Sequence, residues 1–200
     1  YLYLDDPKLD DERTICNDGE IFIKKLKDEY LEKIYGDGEI IKGDVLSGRN
    51  NFTVLDEMIH ESVSNEIELE SDIVLDHNEA DFFEGGIILD CDDMTIDGKG
   101  HTIDANGLSR IFTVVAENIT LKNITFKNGF NIKNYSNGAN NFGGALKVSN
   151  ISSLKLENCA FEDNTCEVHG GAIDNGGKLE ISDSRFERNS VEEGYGGAIS

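Results

Sequence analysis

Four aspartates fall within eight residues, Asp90, Asp92, Asp93 and Asp97, and Lys99, His101 and Arg110 follow closely. A pair of carboxylates with a nearby base is what acid–base cleavage of a polysaccharide requires. Clustered aspartates also suit calcium, which prefers oxygen ligands. The competing reading is structural. The run DGKGHTID, residues 97 to 104, places two glycines between short apolar-alternating stretches, and such residues make turns. We read the run as a polar turn, so no catalytic residue is assigned. A solenoid of the calcium-binding kind needs a recurring GGxGxDx motif, which GGAIDNGG at residues 170 to 177 lacks. No metal and no cofactor is expected.

A second set of residues suits binding. The stretch GFNIKNYSNGANNF, residues 129 to 142, carries Asn131, Asn134, Asn137, Asn140 and Asn141 around Tyr135. Amides supply donors and acceptors, and a tyrosine ring supplies a flat face for a sugar. These six are the candidate ligand-binding residues. Five Asn-x-Ser/Thr sequons, at Asn51, Asn118, Asn123, Asn134 and Asn150, are candidate glycosylation sites.

Such residues need a scaffold, and the scaffold repeats. The tetrads Gly143-Gly144-Ala145-Leu146, Gly170-Gly171-Ala172-Ile173 and Gly196-Gly197-Ala198-Ile199 share one form. ITLKNITFKN, LKLENCAFEDN and LEISDSRFERN align on Phe126, Phe161 and Phe186. Apolar residues alternate within each unit (Ile119 with Leu121, Leu154 with Leu156, Leu179 with Ile181), which is the period of a strand. No helical stretch long enough for a crossover separates the units after residue 70. Short strands in a regular repeat without helices imply a parallel β-helix over residues 66–200, all-β and single-stranded. The crossover rule favours a right-handed coil. Phe126/Phe161/Phe186 and Leu146/Ile173/Ile199 are expected to form inward ladders. Asn128, Asn164 and Asn189 are expected at left-handed corners. Between the Phe and the next Gly-Gly, the first unit is longer than the other two, and the added length falls within the loop at residues 129 to 142. Insertions of this kind often form a binding face.

A β-helix must cover its first coil against edge pairing. Residues 51–65 suit a capping helix, with Thr53 and Asp56 resembling a capping box and Leu55, Met58, Ile59 and Val63 on one face. Residues 1–50 differ in kind, and Ile23, Leu26, Tyr30, Leu31 and Ile34 follow helical spacing. One helix is expected there, as an extra cap or the end of a preceding segment.

Forty acidic and 18 basic residues give a formal net charge of −22, which disfavours a nucleic-acid partner. No stretch reaches the ~18 apolar residues of a membrane span. The start at Tyr1 and the stop at Ser200 suggest a piece of a longer chain. Four cysteines, Cys16, Cys91, Cys159 and Cys166, read as small, partly buried hydrophobes, with a Cys159–Cys166 bridge as an alternative.

The run MTIDGKGHTIDANGLSRIFTVVAENITLKNITFKNG, with the repeated GGAI and F-x-x-N, resembles the adhesin-like surface proteins of methanogenic archaea. These are similar to the chlamydial polymorphic outer-membrane repeats. The resemblance covers residues 52–200. It implies a right-handed, pectate-lyase-like solenoid displayed outside the cell at its surface. The implied function is non-enzymatic attachment to glycans or surface proteins of other cells. The alternatives are a polysaccharide lyase or hydrolase, whose Asn-x-Asp and Arg-x-Lys elements are missing here, and a purely structural spacer.

Overall fold

The computed structural model describes residues 51–61, 64–131 and 142–200, and within residues 1–50 the backbone of five short strands. The chain divides into two units, residues 1–50 and 51–200.

In the first unit, Leu2–Leu4, Glu20–Ile23 and Glu39–Lys42 form a parallel sheet, and Ile15–Cys16 pairs in parallel with Ile34–Tyr35. The register advances 19 residues at every step (2 to 21, 21 to 40, 15 to 34). Ile23 and Ile34, which helical spacing grouped on one face, therefore stand in strands. Residues 24–33 lie outside the described residues.

The second unit is a parallel β-helix of stacked coils. Three parallel sheets share it, two of five strands and one of four, with a further three-stranded sheet along the later coils. Each main sheet sends apolar side chains inward, and one column from each runs the length of the stack. The first column is Ile67, Ile96, Leu121, Leu156 and Ile181. The second is Ile73, Ile103, Phe126, Phe161 and Phe186. The third is Ile87, Phe112, Leu146, Ile173 and Ile199. Both expected ladders form. Ring centroids in the Phe column are 4.8 and 4.7 Å apart, the rise of one strand spacing.

The tetrads set the corner. Their first glycines, Gly143, Gly170 and Gly196, have φ of 69°, 66° and 71°, the left-handed region that a Cβ disfavours. The second glycine meets the coil above, because a Cβ on Gly144 would collide with the carbonyl oxygen of Gly171. Ala145 and Ala172 are fully buried. The Ala172 carbonyl accepts from the N–H groups of both Ala145 and Leu146, so the corner admits only a small side chain there.

Two corner expectations need correction. Asn128 is left-handed (φ 51°), but Asp163 (56°) and Arg188 (54°) occupy the equivalent positions. Asn164 and Asn189 stand one residue later and turn inward. Asn164, fully buried, donates through Nδ2 to the Phe126 carbonyl (3.1 Å) and to Asn189 Oδ1 (2.9 Å). Its Oδ1 accepts from Gly129 N–H at 2.8 Å. A buried amide must satisfy both ends, and the carbonyls of the Phe column provide for it.

A helix, Phe52–Glu61, precedes the first coil and buries Phe52, Leu55 and Ile59 in the same core. Its N-cap is Asn51, whose Oδ1 accepts from Val54 N–H (3.1 Å), and not Thr53. Thr53 instead joins Phe52 in donating to the buried Glu79 carboxylate. That contact, 26 or 27 residues away in sequence, anchors the helix N-terminus to the first coil. Val63 lies outside the described residues.

Candidate functional site

In the third coil the strand Phe130–Asn131 pairs in the stack, and the next described residue, Phe142, bridges to His169 on the following coil. Two side chains tie the described ends of the stretch at residues 129 to 142 to the coils. Asn131 Nδ2 donates to the Phe142 carbonyl at 3.1 Å. Arg110 donates through Nη2 to the same carbonyl (2.6 Å) and through Nε to the Gly143 carbonyl (3.0 Å). Its Nη1 reaches the Gly85 carbonyl (3.2 Å) and Thr113 Oγ1 (2.9 Å). Arg110 stands two residues before Phe112, as Gly144 stands two before Leu146, so an arginine replaces the second glycine of this coil. Its guanidinium ties together the coils on either side. Burial pushes its pKa down to about 10, against the pull of Asp174, which leaves it charged at neutral pH.

Beside these ties a column of rings stands on the outside of the coils. The residue before each Gly-Gly is aromatic or imidazole: Phe142, His169 and Tyr195, bridged in parallel register. Phe142 and His169 stack at 5.3 Å and 17°, and His169 and Tyr195 at 5.9 Å and 14°. Tyr195 is 78% exposed. His169 Nδ1 is buried without a hydrogen-bond partner. Lys147 Nζ lies 5.7 Å from the centroid of the Phe142 ring, a cation–π contact.

Lys147 pairs in register with Asp174 on the next coil. Burial lowers the Lys147 pKa, and the Arg110 charge lowers it further. Burial raises that of Asp174, against the attraction of Lys147, Arg110 and His169. Both groups are thus displaced toward their neutral forms, a pattern concentrated at functional sites.

Residues 52–160, more than half of the chain, match the family described as "Putative pectate lyase-like adhesive domain". The chain belongs to this family of adhesive domains. No curated protein and no solved structure matches it significantly.

The adhesive domain does not gather the aspartate run into one site. Asp90 faces His60 (3.4 Å), Asp92 accepts from Glu117 N–H, and Asp93 accepts from Asn118 Nδ2. Asp97 pairs with Lys99 and Lys122, and His101 pairs with Asp72. Among the described residues, no group of three or more His, Cys, Asp or Glu is placed to hold a metal ion. Arg110 belongs to the loop root and not to the aspartate run.

Of the six binding candidates, Asn131 is described and is engaged in the loop root. Asn134, Tyr135, Asn137, Asn140 and Asn141 lie outside the described residues. Among the sequons, Asn51 is the helix cap. Asn123 is part-buried in a side-chain ladder, donating to Asp97 Oδ1 (2.9 Å) and accepting from Asn158 Nδ2 (2.8 Å). Asn118 and Asn150 are exposed. The hydroxyl of Ser152, in the Asn150 sequon, is buried against the Val114 carbonyl. Cys91, Cys159 and Cys166 are free thiols, so the alternative bridge is absent. Cys91 is exposed, contrary to the expectation of burial, and Cys159 is pushed up to about 11 by burial.

Phe142, His169, Tyr195, Lys147 and Asp174 stand apart from the candidates that the sequence suggests. The signal was present in FGGAL, HGGAI and YGGAI, where the tetrads drew attention away from the residue before them.

Proposed function

We propose that this domain is a non-enzymatic attachment module displayed at a cell surface, which holds glycans or surface proteins of other cells. The adhesive family to which residues 52–160 belong carries the reading. The resemblance of the GGAI and F-x-x-N repeats to surface adhesins supports it. The proposed contact region is the loop at residues 129 to 142, with Asn131, Asn134, Tyr135, Asn137, Asn140 and Asn141 as its polar and stacking groups. A loop mounted on a rigid stack, with its root held by Arg110 and Asn131, is a common arrangement for recognition. Single contacts of this kind are weak, and attachment draws strength from many displayed copies. If the chain is exported, Asn118 and Asn150 are the better placed of the described sequons.

The test is whole-cell adhesion and glycan-array binding by the native chain and by a form with residues 132 to 141 replaced by a short Gly-Ser link. The expected result is loss of binding with the fold retained. Equal binding by both forms removes the loop from the account. A second reading, cleavage of a polysaccharide, draws on the opposed pKa shifts of Lys147 and Asp174. Release of new reducing or unsaturated ends from a polyuronide would establish it.

A further inference from the structure

We propose that the shoulder formed by Lys147, Phe142, His169 and Tyr195 binds an anionic sugar, that is, a carboxylate- or sulfate-bearing unit of a polysaccharide. This rests on the attachment reading and adds the charge class of the ligand.

Several cations of this acidic chain are paired with carboxylates. Lys99 contacts Glu68 at 2.6 Å, Lys155 contacts Glu157 at 2.6 Å, Lys178 contacts Glu180 at 2.8 Å and Arg188 contacts Asp163 at 2.6 Å. With a net charge of −22, carboxylates are abundant. Among the described residues, no carboxylate stands within ion-pair distance of Lys147. Its ammonium is half-buried over an aromatic ring, with a second cation, Arg110, near enough to lower its pKa. Asp174 is the carboxylate that acts on both, and burial raises its own pKa. Lys147 thus keeps a partly desolvated charge over a ring, beside a carboxylate whose charged form burial disfavours. A half-desolvated ammonium is satisfied by an incoming anionic oxygen, because a charge-assisted contact in such surroundings is stronger than one in water.

The ring column supplies the second half of a sugar site. Each ring shares a face with its neighbour, and the highly exposed Tyr195 offers amphipathic surface for the C–H face of a sugar. His169 stands in the middle of the column, where a phenyl ring would stack equally well, yet its Nδ1 is buried and unpartnered. A polar ring kept at the cost of an unmet hydrogen bond points to a use other than packing. Beyond about 8 Å at physiological salt the charge of the whole chain is screened, so short oligosaccharides meet the shoulder with little general repulsion.

The test titrates the full chain, by calorimetry and by NMR, with oligogalacturonate, a sulfated oligogalactan and a neutral oligogalactan of equal length. Binding of one or both acidic probes at least about tenfold tighter than the neutral one is expected. The two acidic arms distinguish carboxylate from sulfate. Lys147→Met keeps the stem over Phe142 and should weaken acidic binding about tenfold, the loss of one charge-assisted contact. Lys147→Arg should restore it. Asp174→Asn should strengthen it several-fold, because it removes the competing carboxylate, and a purely structural pair would not behave so. Thermal melts verify the fold of each variant. Equal affinity of Lys147→Met and wild type, weaker binding by Asp174→Asn, or equal binding of the neutral probe overturns the proposal. So does oligoglutamate binding as tightly as oligogalacturonate. If no probe binds while cell attachment still depends on the loop, this inference fails and the attachment reading stands. If attachment is absent as well, both fail.

Discussion

Two aromatic columns climb the same coils, one inside the stack and one outside. Phe126, Phe161 and Phe186 stack with centroids 4.8 and 4.7 Å apart, and the first two have no exposed surface. Phe142, His169 and Tyr195 stack at 5.3 and 5.9 Å, and Phe142 and His169, with coils on either side, are still only partly buried. The coil rise of ~4.8 Å dictates stacking in both. The environment makes the difference. The inner column is enclosed by the other two apolar columns and repeats a single residue type. The outer column varies among phenyl, imidazole and phenol, lies beside a lysine that has no ion pair among the described residues, and tolerates a buried nitrogen with no partner. Stacking follows from the rise alone, whereas the choice of residue reveals whether the column holds the fold or presents a surface.

The largest expected separation comes from truncating one ring in each column. Phe161→Ala should cost about 3–5 kcal/mol in urea unfolding, as loss of a core aromatic does, whereas Tyr195→Ala should cost less than about 1 kcal/mol. Equal losses would abolish the distinction between the columns. Next is the polar rung beside the inner column. Asn164→Ala strands the Gly129 N–H and the Phe126 carbonyl, and should cost about 2–3 kcal/mol. The same substitution at exposed Asn150 should be near neutral. A smaller effect of opposite sign is expected outside. His169→Phe keeps the stack, removes the unpartnered nitrogen and should raise stability by about 1 kcal/mol. Destabilisation would show that Nδ1 has a role the fold depends on.

The smallest effect concerns the polar column at another corner. Burial pushes the Asp97 carboxyl up, but hydrogen bonds from Asn123 and Lys99, with the Lys99 charge, more than offset this and hold it at about 2. A carboxyl depressed below its unfolded value near ~3.9 contributes stability above about pH 4. That contribution is lost as pH falls from about 4 to about 2. The acid limb of the stability curve should flatten in Asp97→Asn, and an unchanged limb would exclude the group. Neither aromatic column should show this dependence.

Much of the coil architecture was legible because its signals are local. Alternation of Leu154 with Leu156 fixes a strand, Phe126 and Phe161 align by eye, and paired glycines mark a corner that requires positive φ. The first unit carries a local signal of its own. ICNDGEIFI at residues 15 to 23 and IYGDGEIIK at 34 to 42 repeat at the 19-residue step of the observed register, but the helical spacing of Ile23 and Ile34 masked it. The corner asparagines were displaced by one residue because the first unit has Gly129 where the others have Asn164 and Asn189. The aspartate run looked like a site because its members adjoin in sequence, yet a coil turns within a few residues and sends them to different partners.

By itself, the sequence determined the repeat, the strand period, the inward columns and the excess of negative charge, since each follows from residue type and spacing along one coil. Only the tertiary structure decided which residues of different coils meet. Arg110 reaches Gly85 and Phe142, 25 and 32 residues away, and Glu79 holds a helix start 27 residues before it. Lys147 is brought over the Phe142 ring and into register with Asp174. A coil can be read from one stretch of chain, but contacts between coils depend on the length of every intervening turn, and no local pattern encodes that length.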